Sequence, residues 1–464
     1  MSSLKEAIEH SGLKSGMTIS FHHHLRNGDQ VLNMVLDVLS DMGLRDLTIN
    51  ASSIHDVHKP LLKHIQNGVV TGLETAYIGG EVGRGISEGL LQKPVKFRTH
   101  GGRSAALESG ESHIDVAFLA VPAADKMGNC SGTIGPSACG SLGYAYSDAQ
   151  YANKVIAITD YMVPYPLSNI SLCEADVDYV VEVPKIGDPS GIVSGTTKIT
   201  RDPVGLVIAQ YAAKAIQASG LLKDGFSFQT GAGGASLAVS HYLKGIMQRE
   251  QVQGSFVMGG VTKYQVDMLH SGCFRTLMDV QCFDMEAIQS LREDPNHIEV
   301  SARHYASPLA KSAIVDSLDV VILGATQIDT SFHVNVHTDS NGVIMGGSGG
   351  HSDAAAGAKI SIIVAPLIRA RLGVITDHVG TISTPGDTVD MLVTQRGIAV
   401  NPKRKDLKER LIAARIPVFE IQELKEIAER ITGVPEPVRM TDRVVADVIY
   451  RDGTVIDHIY QTAG

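Results

Sequence analysis

The sequence predicts an α/β protein of two tandem, similar domains, each with a mostly parallel sheet and helices on both faces. Three observations predict it. The chain nearly repeats itself: IDVAFLAVPAADKMGN from Ile114 returns as LDVVILGATQIDTSFH from Leu318, a shift of 204 residues. SDAQYANKVIAI from Ser147 returns as SDAAAGAKISII from Ser352, shifted by 205, and SGMTISFHHHLRNGDQVLNMVL from Ser15 returns as DGFSFQTGAGGASLAVSHYL from Asp224, shifted by 209. Three segments in one order at a nearly constant offset signal domain duplication, since a solenoid repeats over tens of residues. Short β-branched runs also alternate with stretches of helical spacing along both copies. Finally, those runs are apolar almost throughout, as parallel strands covered on both faces must be.

The elements follow in order. Met17–Phe21 reads as a short strand, and residues 29–43, DQVLNMVLDVLSDMG, carry apolar residues at helical spacing and stop at Gly43. LTINAS, VKFRT, IDVAFLAV, KVIAITD and YVVEVP continue as strands of the first copy; FSFQTG, SFVMGG, VVILGA and ISIIVA are their counterparts in the second. The boundary is expected in TRDPVGLVIAQYAAKAIQASGLLKDG, giving a first domain over 1–210 and a second over 211–464. Beyond Val393 come a charged helix, PVFEIQ, KEIAERITG and a closing pair VVADVIY and TVIDHIY, whose Asp452-Gly453 suits a tight hairpin turn. That C-terminal part is assigned to the second domain.

At 464 residues the chain exceeds one core and fits two or three domains. A hydrophobic share of 44% with mean hydropathy +0.06 is that of a soluble globular protein. A net charge of −10 excludes a nucleic-acid binder, because the one basic run, KRKDLKER from Lys403, sits in a charged helix and reads as a solvated face. The five cysteines lack C-x-x-C spacing, which points to neither zinc nor a disulfide framework. No apolar run reaches spanning length and MSSLKEAIEHSG lacks a signal-peptide core, so a cytoplasmic location away from membranes is expected.

Ligands of open α/β sheets bind at the carboxyl ends of strands, which directs attention to the loops there. The sharpest is Gly231, Ala232, Gly233 and Gly234, between a strand and a helix. Small residues let backbone amides approach an anion, a phosphate or a developing oxyanion, and a helix N-terminus adds positive potential. It is neither G-x-G-x-x-G nor a Walker loop, and a tight packing turn is the bland alternative. The equivalent place in the first copy holds His22, His23 and His24, with Arg26 close behind. Adjacent histidines cannot all face one ion, so no metal is expected; with Arg26 they suit a carboxylate-rich substrate through charge-assisted hydrogen bonds. Arg98, His100 and Arg103 offer a second carboxylate clamp. The loop around Gly346, Gly347, Gly349, Gly350, His351 and Asp353 is richer in glycine than a turn needs and reads as ligand-facing.

SGMTI, IDVAFLAVPAADKMGNCSG, DGFSFQTGAGGASLA, GGSGGHSD and VTQRGIAVNP (Val393–Pro402) resemble the coenzyme A transferase superfamily, and within it the citrate lyase α-subunit family, from about Leu4 to Gln461. That resemblance implies two CoA-transferase-like domains, matching the repeat found from the residues alone. It implies exchange of acetate for citrate on an acetyl thioester, with citrate, acetate and acetyl-CoA as small molecules. An acyl carrier protein subunit and a lyase subunit would be partners in an oligomeric complex. CoA, or a CoA-like group on the carrier, would be substrate and not a resident cofactor. By the same resemblance the catalytic loop is Gly231, Ala232, Gly233 and Gly234, the acid is held by His22, His23, Arg26, Arg98 and Arg103, and the thioester by Gly347, Gly349, Gly350 and His351. Other members of the superfamily use a glutamate nucleophile early in the second half, but Gly254–Gly272 contains none. The carboxylate of the substrate would then attack the thioester directly through a mixed anhydride. A thioester hydrolase using Glu81 or Glu88 as base is the alternative, and a noncatalytic scaffold a further one; citramalate in place of citrate stays open.

Overall fold

A computed structural model describes residues 1–193 and 197–463. In the first half the chain lays down strands Thr18–Phe21 (β1), Leu47–Ala51 (β2), Val70–Thr75 (β3), Val95–Arg98 (β4), Val116–Ala120 (β5), Lys154–Thr159 (β6) and Tyr179–Glu182 (β7). The second half follows with Phe228–Thr230 (β8), Gly254–Val261 (β9), Phe274–Cys282 (β10), His297–Glu299 (β11), Val320–Gly324 (β12), Ile360–Val364 (β13), Met391–Thr394 (β14), Gly397–Val400 (β15) and Val418–Phe419 (β16). A terminal hairpin, Met440–Ile449 (β17) and Val455–Thr462 (β18), closes the chain. Two nine-stranded sheets result, ordered β7-β6-β5-β1-β2-β3-β4-β17-β18 and β11-β10-β9-β8-β12-β13-β14-β15-β16. All pairs are parallel except β14–β15 and β17–β18.

The duplication is visible in the wiring. In both sheets the first strand of the half is central, the second to fourth lie on one side and the fifth to seventh on the other. Each half also carries a three-stranded satellite sheet after its fifth strand, built the same way: Ala123–Asp125 with Cys130–Ser131 and Met162–Val163, and Gln327–Asp329 with Val334–Asn335 and Ile375–Thr376. The apolar runs are strands because both faces are covered: Val116–Ala120 and Ile360–Val364 are buried at every position. Third strands Val70–Thr75 and Phe274–Cys282, broken by Gly72 and by polar residues, escape a reading based on apolar runs.

Two boundary expectations need correction. A division at 210/211 cuts helix Pro203–Ala218, which starts on an Asp202 cap with proline in its first turn and packs on helix Gly234–Glu250 and on β13 and β14. The helix is part of the second half. The hairpin, expected there too, instead extends the first sheet, with Ala446–Ile449 paired to Val95–Arg98. Turn residues fix that a hairpin forms; which open sheet edge receives it depends on tertiary placement that local sequence does not encode.

The halves meet along a backbone seam. Ile78 N–H donates to the Gly346 carbonyl (3.1 Å), Gly349 N–H to Ala76 (3.2 Å), His100 N–H to Gly349 (2.9 Å) and Ala302 N–H to Gly143 (2.8 Å). A bidentate Arg303–Glu108 pair (2.8 and 2.7 Å) fastens the same seam.

Candidate active site

In each sheet the first strand marks the point where chain order reverses, so the loops after β1 and β8 flank the crevices at which such sheets bind ligands. After β1 the chain enters the histidine loop. His22, His23 and His24 are all buried. Tyr144 N–H donates to His24 Nε2 (3.2 Å), which leaves His24 Nδ1–H to donate to His22 Nδ1. His23 holds Ser52 through its own N–H (3.1 Å) and Nδ1 (2.6 Å), and its carbonyl accepts from Gln281 Nε2 of the second half (3.2 Å). Around it stand Tyr144 (ring centroids 4.6 Å), His55 (5.6 Å) and His100 (5.9 Å). Burial drives every one of these imidazoles toward the neutral form: His22 to about 4, His100 to about 3, and His23, His24 and His55 well below the ordinary histidine value. Mutual repulsion adds to burial at His23, and the Arg26 charge at His23 and His55.

Arg26 sits in this neutral surround with a left-handed backbone, φ 52°. Its guanidinium lies over the Phe283 ring, 5.0 Å from the centroid, and Nη1 donates to the Ile192 carbonyl (3.4 Å). Among the described residues no carboxylate stands within 4.0 Å of it. Burial lowers its pKa, yet a guanidinium stays charged in proteins. Nearby, His55 Nε2, His100 Nδ1 and Gln229 Oε1 are buried without a hydrogen-bond partner. Orphaned polar atoms in a folded protein call for an explanation, and a polar ligand beside an unneutralised cation supplies one.

Arg98 and Arg103 do not join this group. Arg98 Nε donates to Glu74 (2.6 Å) and its Nη2 to Glu111 (2.8 Å). Arg103 grips Asp148 through Nη1 (2.6 Å) and Nη2 (3.1 Å) and Asn50 through Nε (2.6 Å). Both charges are matched by the protein's own carboxylates in buried ion pairs, and Nη1 of Arg98 is left without a hydrogen-bond partner among the described residues. Spacing in sequence shows where an arginine falls, not which acid the fold sets against it.

In the second half, Gly231 spends its N–H on the Ile322 carbonyl (2.8 Å) and is therefore no donor to a ligand. Gly233 is exposed and is the N-cap of helix Gly234–Glu250, with no side chain capping it. The amides at the start of that helix lie at the positive end of its dipole. A Cβ on Gly233 would meet only Ser236 Oγ, at 3.5 Å, so the fold itself does not require glycine there. Beside the loop, Gly324 at the end of β12 has nothing within 4 Å of a Cβ. Among the described residues, open space thus lies next to amides that no side chain caps.

The loop of Gly346 to Gly350 belongs to the seam. A Cβ on Gly347 would overlap the Ala76 carbonyl, and one on Gly350 the Tyr305 hydroxyl; Gly349 has φ 52° and faces His100. Protein packing against protein accounts for these glycines. His351 is likewise engaged at both ring nitrogens, with Thr384 Oγ1 (2.8 Å) and the Gly324 carbonyl (2.8 Å). Asp353 caps helix His100–Ser109 of the other half, accepting from Thr99 Oγ1 (2.8 Å) and Gly101 N–H (2.9 Å), and burial lifts it to about 6. Glu81 and Glu88, proposed bases of a hydrolase, are exposed on helix Gly80–Ser87 and at its C-cap, with Glu81 paired to Lys59.

The stretch Gly254–Gly272 contains no glutamate. Where β9 bulges, a Cβ on Gly259 would press on Gln229 and one on Gly260 on the Phe283 ring. His55, Tyr77, Tyr144, Gln229 and Phe283 were not singled out by sequence. Four of them lie in or within a few residues of a strand's carboxyl end, a positional signal that motif spacing overlooks. Among the described residues no group of histidine, cysteine or carboxylate side chains could hold a metal. All five cysteines are free, and burial pushes Cys130 up to about 12.

A family model described as citrate lyase, alpha subunit, matches residues 1–462. The chain is 51% identical over 459 residues to the citrate lyase alpha chain of Haemophilus influenzae, covering 99% of this chain and 92% of that one. Its fold superposes, with TM-score 0.98 and 48% identity over 100% of this chain and 91% of the other, on a crystal structure of the alpha subunit of citrate lyase from Streptococcus mutans in complex with citrate. A Pseudomonas malonate decarboxylase hetero-tetramer shares the fold at TM-score 0.69 and 18% identity, over 92% of this chain and 85% of that one.

Proposed function

The chain belongs to the citrate lyase alpha-subunit family, and on that premise we propose how its geometry serves the reaction. It is the transferase subunit of citrate lyase, an enzyme that places citrate where acetate stood on an acyl thioester, and it works as one part of a multi-subunit complex. Our reading assigns citrate to Arg26 and the imidazoles of His23, His55 and His100. A single observation carries it: Arg26 is the guanidinium of this cleft left without a carboxylate of its own, beside the orphaned His55 Nε2 and His100 Nδ1. A tricarboxylate offers what these groups lack, with a carboxylate for the fork of Arg26 and further oxygens for the imidazole N–H groups.

The second half receives the thioester, a CoA-like group on an acyl carrier protein or free acetyl-CoA. The amides of Ala232, Gly233 and Gly234 stand ready for the oxygen that becomes negative. A carboxylate oxygen of citrate bonds to the thioester carbonyl carbon; the tetrahedral oxyanion collapses, expelling thiolate and leaving an acetyl–citryl anhydride. The thiolate then adds to the citryl carbonyl and acetate departs, so no proton, water or protein nucleophile is consumed. Without covalent catalysis the rate must come from juxtaposition and from amides directed at developing charge. Carbon–carbon cleavage falls to the lyase subunit.

Incubating the purified chain with acetyl-CoA and a panel of di- and tricarboxylates tests this directly. Citryl thioester and acetate are expected from citrate. Intact mass spectrometry should find no CoA-sized adduct after acetyl-CoA alone, and kinetics should be sequential. Release of free thiol and acetate would make the chain a hydrolase, and a CoA adduct would overturn direct attack.

A further inference from the structure

Guanidinium groups drawn out of water, wholly as at Arg98 and Arg103 or in part as at Arg26, need a partner, and this chain uses two kinds. Arg98 and Arg103 are matched by carboxylates that cancel their charge. Arg26 is held differently: by the face of Phe283 at 5.0 Å and by one backbone carbonyl at 3.4 Å. An aromatic face attracts a cation through its quadrupole while carrying no net charge. It therefore fixes the guanidinium in place and leaves its full positive charge for a substrate.

Several further contacts indicate that this placement is built. Phe283 N–H donates to the Val261 carbonyl (2.8 Å), which fixes the residue at the end of β10. Two positions earlier, in β10 itself, Gln281 donates to the His23 carbonyl (3.2 Å), so the strand and the residue just past its end brace the same loop. Gly260 on the neighbouring strand has no side chain, and any Cβ there would occupy the ring's position. The left-handed backbone of Arg26, uncommon for a residue other than glycine, persists under these restraints.

We propose that Phe283 is a positioning residue for the substrate acid: from the second half it holds Arg26 of the first in a charged, un-neutralised state, and so sets affinity for the polyanion. This rests on the reading that Arg26 receives citrate. The acid site is then a joint product of both halves, while the chemistry stays with the GAGG loop.

Titration calorimetry of citrate on the full chain tests it, with the KM for acetyl-CoA as control. Phe283→Leu keeps the bulk and removes the π face; citrate affinity should fall about tenfold, within the range of a partly desolvated cation–π contact. Phe283→Tyr should restore most of the loss. Combining Phe283→Leu with Arg26→Ala should weaken citrate no further than Arg26→Ala alone. Should the leucine variant fold poorly, fluorinated phenylalanines at 283 keep the ring's shape while draining its face of electron density, and citrate affinity should fall stepwise with fluorine number. A flat response across that series, or a leucine variant as tight as wild type, overturns the proposal. If Arg26→Ala itself leaves citrate binding unchanged, the assignment of Arg26 to citrate fails, which is a separate outcome.

Discussion

A half-buried charge with no counter-charge among the described residues is costly to keep, and Arg26 is that residue. Replacing it with alanine should raise the KM for citrate by roughly one to two orders of magnitude, the scale of a lost charge-assisted hydrogen bond. The KM for acetyl-CoA should barely move. A parallel rise in both constants would end the division of labour between the halves. At this scale sequence was half legible. His22, His23 and Arg26 stand out because their counterparts are glycine and alanine, and asymmetry between repeats survives in sequence. Arg98 and Arg103 mislead, because their partners Glu74, Glu111 and Asp148 come from distant positions that only the folded sheet brings near. Phe283 is invisible for the same reason: nothing in one strand's sequence announces a cation from the other half.

Among elements, helix Gly234–Glu250 has the most to do, since its start offers several amides for which no side chain competes among the described residues. The loop before it tolerates a side chain sterically, as the 3.5 Å approach at Gly233 indicates. Gly233→Val should therefore fold normally, at a cost of about 1 kcal/mol or less for the altered cap. Its kcat should fall roughly 10²- to 10³-fold if those amides meet the oxyanion. Steady-state rates on a variant shown by circular dichroism to be folded decide it; wild-type turnover would remove the loop from the mechanism. The loop was readable because glycine at a strand–helix junction has a local meaning. The GGSGG loop looked alike in sequence and has the opposite explanation: its glycines clear Ala76, His100 and Tyr305, and those neighbours lie far off in the chain. Glycine density records close approach without recording what approaches.

For the molecule as a whole, buried neutral imidazoles in both halves predict how stability answers acid. His22 and His351 are held at about 4, His100 and His337 at about 3. Unfolded histidine titrates near 6.5. Between that value and 3 to 4 the unfolded chain binds protons that the native one refuses, so stability rises with pH and is lost on acidification, by about 1.4 kcal/mol per pH unit per proton. Asp353, lifted to about 6, works the other way, since from about 6 down to 4 the native form holds a proton that the unfolded chain releases. His23, His24 and His55, also held well below the ordinary value, add to the loss, while burial raises the carboxyls of Asp284 and Glu299 beside that of Asp353. Seven imidazoles against three carboxyls leave a net loss: Tm should drop steadily from pH 6.5 to 5, and scanning calorimetry showing a flat or rising Tm would contradict it. The fold at this scale was the most legible part, because duplication, strand alternation and apolar runs all describe the same two sheets.

The hairpin of β17 and β18 carries an implication for synthesis. Strand β4 leaves the ribosome about 350 residues before the strand that covers its edge. Throughout translation of the second half, the first sheet is available in all but its final two strands, with an open backbone edge inviting other chains. Translation order and assembly order are thus reversed at that edge: the domain begun earliest is completed latest, and a ribosome stalled anywhere before residue 440 holds a chain whose first half is unfinished.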